Sequence, residues 1–264
     1  MDIVQHINLA LKAAVIAGKK IMTIYNSNEF EIELKQDKSP LTKADKISHL
    51  VISEILKDSK LPILSEEGKD IAYSKRKSWK LFWLVDPIDG TKEFISRNGE
   101  FTVNIALIRN NKPVAGVIFV PVSKELYVGI VGHGSYEIKT QSSEISFSDV
   151  KIQGYKLPNT RNRKDYVIIG SRSFMNEETE TFIDELKKEY PGAQILCCGS
   201  SLKICMVAEG KANIYPRFGP TMEWDTAAGH AIVKAVGQNI CRVDEGIELT
   251  YNKEDLLNPF FIVR

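Results

Sequence analysis

Acidic residues follow two apolar stretches of this chain, at positions where their carboxylates could bind a cation together. Asp86 and Asp89 lie in WLVDPIDGT, directly after the apolar run Leu81–Val85, and Glu66 follows LPILS in the same manner. Two carboxylates about 4 Å apart repel each other by roughly 4 kcal/mol at an effective dielectric constant of about 20, so a positive charge is expected between them. Two simpler explanations stay open. Asp86 and Asp89 could stabilise a turn, since Asp-Gly pairs are common there, and Glu67 could lie in a solvated turn.

Two more carboxylates lie at predicted helix starts. Asp45 stands three residues after Thr42, which is the spacing of a capping box, and Asp225 lies in the first turn of a helix that begins with WDTAAG. Taken alone, each is best explained as a helix N-terminal carboxylate, worth under about 1 kcal/mol through the helix dipole. The small residues after Asp225 allow this end of the helix to approach another backbone closely.

Short buried strands are expected to position Glu66, Asp86 and Asp89. The run Leu81–Val85 is rich in aromatic and branched residues, which predicts a strand that brings Asp86 and Asp89 to its carboxyl-terminal edge. Because Pro87 lacks a backbone donor and has a fixed φ, we expect the chain to leave the sheet there. Gly90 then allows a tight turn.

The N-terminal part of the chain predicts an α+β unit. Apolar residues recur at helical spacing over 3–25, and FEIELKQ (30–36) alternates like a strand. Residues 101–121 form two alternating strands joined by Asn110-Asn111, and a second pair follows, so we expect an antiparallel meander.

The C-terminal part predicts alternating strands and helices, hence a second sheet covered by helices. A polar and basic stretch at 140–165 marks the boundary, which gives halves of 1–155 and 156–264. The expected elements are a strand at 166–170, a helix from Asn176 to Tyr190, a strand at 193–198, a helix within 199–210, a strand at 212–216 and a helix at 224–237 that ends at Gly237.

Composition argues against several classes of protein. The 264 residues carry a formal net charge of +1, so nothing attracts nucleic acid or an anionic membrane in bulk. The apolar runs are far shorter than the roughly 18 residues of a transmembrane helix, and the N-terminus MDIVQHINLA has no signal-peptide pattern. The four cysteines lack metal-binding spacing and predict reduced, mostly buried thiols. We expect a cytoplasmic protein, with peripheral attachment to the inner membrane left open.

DPIDGT and the downstream WDTAAG together resemble the signature pair of the lithium-sensitive, magnesium-dependent phosphatase superfamily, which includes inositol monophosphatases and fructose-1,6-bisphosphatases. The stretches DKSPLTKAD, LSEEG, DPIDGTKEF and GSSLKICMVAEGKANIYPRFGPTMEWDTAAGHAI are similar to its 3′(2′),5′-bisphosphate nucleotidase branch. The resemblance runs from about residue 5 to the C-terminus. It implies an α/β (α+β) fold, a layered αβαβα sandwich with a meander half and an alternating half.

Residue by residue, the resemblance implies a site for two or three Mg²⁺ ions. The matching ligands are four side chains and one backbone carbonyl: Glu66, Asp86, Asp89 and Asp225, with the carbonyl of Ile88. All are oxygen donors, as a hard cation requires. Asp45 and Thr91 match the pair that polarises the attacking water. The backbone N–H groups of Gly90 and Thr91 would add an anion-binding position if they open a helix.

The substrate contacts follow from the same resemblance. Ser200, Lys203 and Arg217 match positions that hold the second phosphate and the sugar of a nucleotide, and both cations suit a phosphate that is bound but not cleaved. In the simpler alternative, Lys203 is a solvated helix residue and Arg217 a loop charge. Phe174 stands where relatives often carry His, so one polar contact is in doubt, although the ring could stack on adenine. The full expected set is Glu66, Ile88, Asp89, Gly90, Thr91, Ser200, Lys203, Arg217 and Asp225.

The implied activity is that of a Mg²⁺-dependent phosphomonoesterase of sulfur assimilation. It would hydrolyse adenosine 3′,5′-bisphosphate to AMP and phosphate by direct attack of a metal-activated water. Inositol monophosphatase is the alternative within the superfamily, and a non-catalytic metal–nucleotide sensor is the alternative from another class. Lithium sensitivity is implied by the resemblance alone. The expected partner is a small bisphosphate nucleotide rather than nucleic acid, and the expected state is a monomer or a homodimer.

Overall fold

A computed structural model describes residues 1–27, 33–34, 40–68, 70–160, 165–171 and 176–264. Its helices are α1 (Ile3–Asn26), α2 (Lys43–Leu56), α3 (Tyr73–Arg76), α4 (Thr91–Ile95), α5 (Phe147–Gln153), α6 (Glu177–Glu189), α7 (Leu202–Ala208) and α8 (Glu223–Lys234). Its strands are β1 (Glu33–Leu34), β2 (Pro40–Leu41), β3 (Ile63–Ser65), β4 (Leu81–Asp89), β5 (Thr102–Arg109), β6 (Lys112–Val120), β7 (Glu125–Ile130), β8 (Gly134–Lys139), β9 (Tyr155–Lys156), β10 (Val167–Ser171), β11 (Gln194–Cys198), β12 (Tyr215–Arg217), β13 (Ile240–Arg242) and β14 (Phe261–Val263). Short 3₁₀ turns follow α2 at Lys57–Ser59 and β3 at Glu66–Gly68.

The larger sheet has seven strands in the order β3-β4-β5-β6-β7-β8-β9. β3 is parallel to β4, and every later neighbour is antiparallel, which confirms the predicted meander. Asn110 and Asn111 both have positive φ (49° and 63°), as a two-residue hairpin turn that matches the twist of its strands requires. The predicted first helix is confirmed as α1.

Layers of helices and sheets alternate through the molecule. Helices α1 and α2 cover one face of the seven-stranded sheet, and α7 and α8 cover the other. Beyond α7 lie β10, β11 and the three-stranded sheet β12-β14-β13, which a bridge between Ile168 and Ile214 joins to β10. Helix α6 packs on the outer side of these strands through Ile183. The αβαβα sandwich is therefore confirmed.

Pro87 lies inside β4, so the prediction that the chain leaves the sheet at that residue is wrong. Asp86 pairs with Asn104, and Asp89 pairs with Thr102. Between these two pairs, β4 advances by three residues while β5 advances by two. This is a β-bulge, and a proline is tolerated in a bulge because the ladder of hydrogen bonds is interrupted there. The strand resumes pairing after the proline.

Most of the remaining predicted elements are present, with shifted ends. Asn176 caps α6 by accepting a hydrogen bond from the backbone N–H of Thr179 (3.1 Å), and Gly237 has a φ of 87° just after α8. The predicted strand at 212–216 begins later, at Tyr215. The strand FEIELKQ falls largely outside the described residues, apart from β1.

Two further expectations concern the whole chain. All four cysteines are free, but only Cys205 is buried and Cys197 is exposed, so the expectation of mostly buried thiols is wrong. The division into 1–155 and 156–264 stays a prediction, although β9 completes the larger sheet at Lys156. Within the described residues, no helix is both long and apolar enough to cross a membrane.

Candidate active site

The bulge in β4 directs Asp86 and Asp89 to the same side of the sheet. Side chains alternate along a regular strand, so residues three apart face opposite sides. Because the bulge absorbs one residue, both carboxylates lie on the face that α8 covers, while the side chain of Ile88 packs into the core beneath α1 and α2. The backbone N–H of Ile88 donates to Oδ1 of Asp86 (3.0 Å), which fixes the orientation of that carboxylate.

Helix α8 brings the third carboxylate to this edge. Asp225 lies in its first turn, and the backbone N–H of Met222 donates to Oδ2 of Asp225 (2.8 Å), so the capping interpretation of this residue holds. One carboxylate oxygen from each of Asp86, Asp89 and Asp225 lies within 4.8 Å of the other two. A residue in α8 thus completes a cluster that begins some 140 positions earlier in the chain.

The cluster is electrostatically unfavourable when no cation is bound. Burial raises the pKa of Asp89 to about 6, although the charge of Lys203 opposes the shift. Burial, and then repulsion from neighbouring carboxylates, raises the pKa of Asp86 and of Asp225 well above the ordinary value. Each group would accept a cation in place of a proton.

Glu66 reaches the same edge from β3. Because β3 is parallel to β4, with Ser65 opposite Val85, the residue that follows Ser65 lies level with Asp86. Glu66 lines the same cavity as the cluster. Glu67, expected in a solvated turn, is half-buried instead, and its charge raises the pKa of Asp45.

Asp45 caps α2 and also faces Thr91. Its Oδ2 accepts hydrogen bonds from the backbone N–H (2.8 Å) and the hydroxyl (2.6 Å) of Thr42. Its Oδ1 accepts a hydrogen bond from the hydroxyl of Thr91 (3.3 Å). Burial raises the pKa of Asp45 to about 6. One carboxylate therefore serves as a helix cap through one oxygen and contacts Thr91 through the other.

Gly90 and Thr91 begin the short helix α4. Gly90 has a φ of 91°, and a Cβ at this position would lie 3.2 Å from the backbone oxygen of Glu100, so only glycine fits without strain. The hydroxyl of Thr91 also lies 3.5 Å from the carbonyl oxygen of Ile88. The predicted tight turn after Asp89 is present.

Helix α7 and strand β12 supply the positive side of the site, through Lys203 and Arg217 respectively. Lys203 is 5% exposed and Arg217 is 6% exposed, so the alternatives of a solvated helix residue and a loop charge are wrong. The ammonium group of Lys203 donates to the carbonyl oxygens of Cys198 and Ser200, and lies over the ring of Tyr215. Arg217 donates from Nη2 to the carbonyl oxygen of Pro220 (3.1 Å).

Ser200 has an unusual backbone and a buried hydroxyl. Its φ is 46°, in the left-handed region, and no hydrogen-bond partner reaches its Oγ within the described residues. A buried hydroxyl without a partner costs roughly 1–3 kcal/mol, which a ligand oxygen would recover. Ser200 lines the same cavity as the acidic residues.

The acidic cluster and the two buried cations, Lys203 and Arg217, line one cavity of about 260 Å³. Its lining includes all nine expected substrate-contact residues, whereas Asp45 lies behind Thr91 and is not part of it. Phe174 is outside the described residues. Several other lining residues were not expected from the sequence, among them Glu93, Ser171, Ser201, Tyr215 and Thr221.

The donor set suits Mg²⁺. The acidic side chains that line the cavity, Glu93 included, offer only oxygen atoms, which hard cations prefer, and burial raises the pKa of Asp86, Asp89 and Asp225. No histidine or cysteine lines this cavity among the described residues, so nothing favours a softer metal such as zinc.

Comparisons with known proteins give consistent results. The model of the Inositol monophosphatase family matches residues 2–259. The 3′(2′),5′-bisphosphate nucleotidase CysQ of Salmonella typhimurium is 44% identical over 251 residues, which cover 94% of this chain and 94% of that protein. The CysQ of Escherichia coli K12 is 41% identical over 251 residues, with the same two coverages. The crystal structure of CysQ from Bacteroides thetaiotaomicron, a bacterial member of the inositol monophosphatase family, has a TM-score of 0.92 at 48% identity and covers 99% of this chain and 97% of its own.

Proposed function

This chain belongs to the inositol monophosphatase family, and from that premise we propose that it is a Mg²⁺-dependent 3′(2′),5′-bisphosphate nucleotidase. It converts adenosine 3′,5′-bisphosphate to AMP and phosphate. Its similarity to nucleotidases at 41–44% identity supports the reaction. The observation that carries the choice of substrate is the pair of buried cations, Lys203 and Arg217, in the cavity of the acidic cluster.

The acidic residues would hold the metal ions to which the scissile phosphate binds. Metal dependence, generally on Mg²⁺, is a property of the family. Glu66, Asp86, Asp89 and Asp225, with the carbonyl of Ile88, are proposed to hold it. When bound, Mg²⁺ neutralises phosphoryl oxygens and lowers the pKa of a coordinated water. The protein's part is to fix four carboxylates at one edge of the sheet before the substrate arrives.

Asp45 and Thr91 are proposed to orient the attacking water. Asp45 is held by Thr42 through Oδ2, so Oδ1 stays directed at the hydroxyl of Thr91. A carboxylate with a pKa of about 6 is well matched to accept a proton near neutral pH. Water then attacks phosphorus directly, and the leaving oxygen departs on the nucleoside. A phosphoenzyme trapped from labelled substrate would contradict this order.

Lys203 and Arg217 are proposed to bind the phosphate that is not cleaved. Carbonyl oxygens hold the ammonium group, and Pro220 holds the guanidinium, so neither side chain loses much conformational freedom on binding. Ser200 offers its partnerless hydroxyl to the same ligand. An inositol monophosphate has no second phosphate for these two cations to bind.

A substrate panel tests this choice. We expect the purified protein with Mg²⁺ to hydrolyse adenosine 3′,5′-bisphosphate much faster than inositol 1-phosphate, measured as kcat/KM for phosphate release. The change Arg217→Ala should lower kcat/KM for the bisphosphate by about 10- to 100-fold, because a charge-assisted hydrogen bond is worth about 1.5–3 kcal/mol. Arg242→Ala, an arginine outside the cavity lining, is the matched control. A preference for the inositol ester, with Arg217→Ala harmless, would overturn the assignment.

Three finer properties are proposed with it: two or three bound ions, a monomer or homodimer, and a cytoplasmic location. The number of ions can be counted by titration calorimetry, and the mass in solution by analytical ultracentrifugation.

A further inference from the structure

Three buried polar side chains lie behind the acidic cluster. Thr102 and Asn104 face the α8 side of β5, and Ser201 lies at the start of α7; none is more than 3% exposed. The hydroxyl of Thr102 lies 2.9 Å from Oδ1 of Asn104 and 2.8 Å from the hydroxyl of Ser201. The hydroxyl of Ser201 lies 2.9 Å from the same Oδ1. The three residues form a closed triangle, the buried polar triangle.

Asp89 determines how this triangle is oriented. The side-chain Nδ2 of Asn104 donates to Oδ2 of Asp89 (3.4 Å), because a carboxylate can only accept. The amide oxygen of Asn104 must then face Thr102 and Ser201 and accept from their hydroxyls. Reversing the amide would place its oxygen against the carboxylate and its donors against Thr102.

Ser201 connects the triangle to the other half of the site. Its backbone N–H donates to the carboxylate of Asp89, and its hydroxyl donates to Asn104. Ser201 also follows Ser200 and precedes Lys203 by two residues, so it lies between two residues that are proposed to bind the non-scissile phosphate. The same residue therefore contacts an acidic residue of β4 and belongs to the turn that leads into α7.

We infer that Thr102, Asn104 and Ser201 are positioning residues, which hold the Asp89 carboxylate and the turn 199–201 at the start of α7 as one unit. Metal affinity and nucleotide affinity then both depend on the hydroxyls of Thr102, which lies outside the cavity lining, and of Ser201, which is part of it. The inference rests on the proposed function in one respect, that Asp89 is a metal ligand. Groups that orient a metal ligand are typically worth 10- to 100-fold in metal affinity.

The test compares two substitutions of one residue. Thr102→Val keeps the shape of the side chain and removes the hydroxyl, whereas Thr102→Ser keeps the hydroxyl. We expect Thr102→Val to weaken Mg²⁺ binding by about tenfold or more in titration calorimetry without substrate, and Thr102→Ser to stay within about twofold of the unchanged protein. Excess Mg²⁺ should restore kcat in Thr102→Val.

Ser201→Ala tests the connection to the turn. We expect weaker Mg²⁺ binding and, at saturating Mg²⁺, a KM for adenosine 3′,5′-bisphosphate that stays raised by about tenfold while kcat recovers. Ser59→Ala is the matched control, since Ser59 also has a buried hydroxyl, bonded to Leu56 and Trp83 near the opposite end of β4. It should lower the melting temperature and leave Mg²⁺ affinity unchanged.

The outcomes separate the inference from the proposed function. If the unchanged protein binds Mg²⁺ and hydrolyses the bisphosphate, but Thr102→Val and Ser201→Ala bind Mg²⁺ equally well, the inference alone is overturned. If the unchanged protein binds no Mg²⁺, the proposed function fails and this inference fails with it. A loss of Mg²⁺ affinity in Ser59→Ala equal to that in Thr102→Val would show a general effect of lost stability and would also overturn the inference.

Discussion

Asp45 stabilises the start of α2 and is also the residue proposed to orient the attacking water. Its two oxygens have separate partners: Oδ2 closes the capping box with Thr42, and Oδ1 faces Thr91. A second capping box with the same geometry begins α5, where Oδ2 of Asp149 accepts from the backbone N–H (2.9 Å) and the hydroxyl of Ser146. The two aspartates differ in burial and in the presence of a hydroxyl on the far side.

Comparing Asp45 with Asp149 separates a role in catalysis from a role in helix capping. Asp45→Asn should lower kcat by about 10²- to 10⁴-fold, the usual contribution of general acid–base catalysis, because an amide cannot accept the proton. The amide oxygen can still cap α2, so nucleotide binding measured by calorimetry should persist. Asp149→Asn should change neither quantity.

The same variant discriminates an enzyme from a binding protein. If Asp45→Asn releases phosphate as fast as the unchanged protein, Asp45 is a helix cap only. If the unchanged protein binds nucleotide and Mg²⁺ but releases no phosphate, the sensor alternative replaces the enzyme.

Asp86, Asp89 and Asn104 show which features of single residues can be predicted from the sequence. Asp86 and Asp89 could be singled out because both follow an apolar run, but whether they share a face depends on the pairing of β4 with β5, which is not local. Asn104 is a polar residue in the apolar strand FTVNIALI, and buried polar residues require partners, so the sequence does mark it as a residue with a specific contact. Its partners come from distant segments and could not be named.

Among the elements, α8 is the one whose placement decides the site. It packs on the seven-stranded sheet opposite two glycines, Gly116 in β6 and Gly129 in β7. A Cβ on Gly116 would lie 2.3 Å from the backbone oxygen of Ala228, and one on Gly129 would lie 2.7 Å from the Cα of Ile232. The helix backbone therefore rests directly on the sheet, and Asp225 depends on that contact for its position.

Gly116→Ala should consequently move α8 or destabilise the protein. We expect a loss of about 1–3 kcal/mol in the free energy of unfolding from urea titration, which is the usual range for overpacking, together with weaker Mg²⁺ binding. Adding Ala228→Gly should not restore stability, because the clash is with a carbonyl oxygen rather than a side chain. A variant as stable as the unchanged protein would show that the helix can shift freely.

Local sequence signals predict most of the helices and strands. Features that depend on contacts between elements could not be predicted in this way. The capping box of Thr42 and Asp45, the Asn110-Asn111 hairpin and the Asn176 cap all depend on residues within a few positions of each other. The path of β4 through Pro87 depends instead on β5, which supplies the interrupted ladder. The resemblance supplied the layered arrangement, which local patterns alone left as two halves.

At the scale of the whole molecule, stability and metal binding are linked through pH. The pKa of Asp89 is about 6 in the folded protein against an ordinary 3.8, so the metal-free fold binds more protons than the unfolded chain between these values. The contribution of this group to stability is therefore largest at low pH and is lost as pH rises through 6. Burial shifts Asp86 and Asp225 in the same direction. His230 acts oppositely, since burial lowers its pKa to about 4.

Comparing two conditions isolates the metal site. Mg²⁺ requires ionised ligands, so we expect the rise in melting temperature from EDTA to saturating Mg²⁺ to be larger at pH 7 than at pH 5. His230 is present in both conditions, and its contribution cancels in the difference. Differential scanning calorimetry provides the measurement. An equal rise in melting temperature at both pH values would show that Asp86, Asp89 and Asp225 are already ionised at pH 5 without metal.

The place of α8 between the two sheets also affects how the chain is made. The face of the larger sheet that it covers carries Phe82, Leu84 and Ile118, which are buried in the finished protein. These residues emerge about a hundred positions before α8, and at 5–20 residues per second the ribosome needs roughly 5–20 s to supply it. During that interval the nascent chain presents an apolar sheet with acidic residues along one edge. The growing protein is therefore exposed to chaperones during that interval, and the proposed set of metal ligands is complete only when the helix that carries Asp225 has been synthesised.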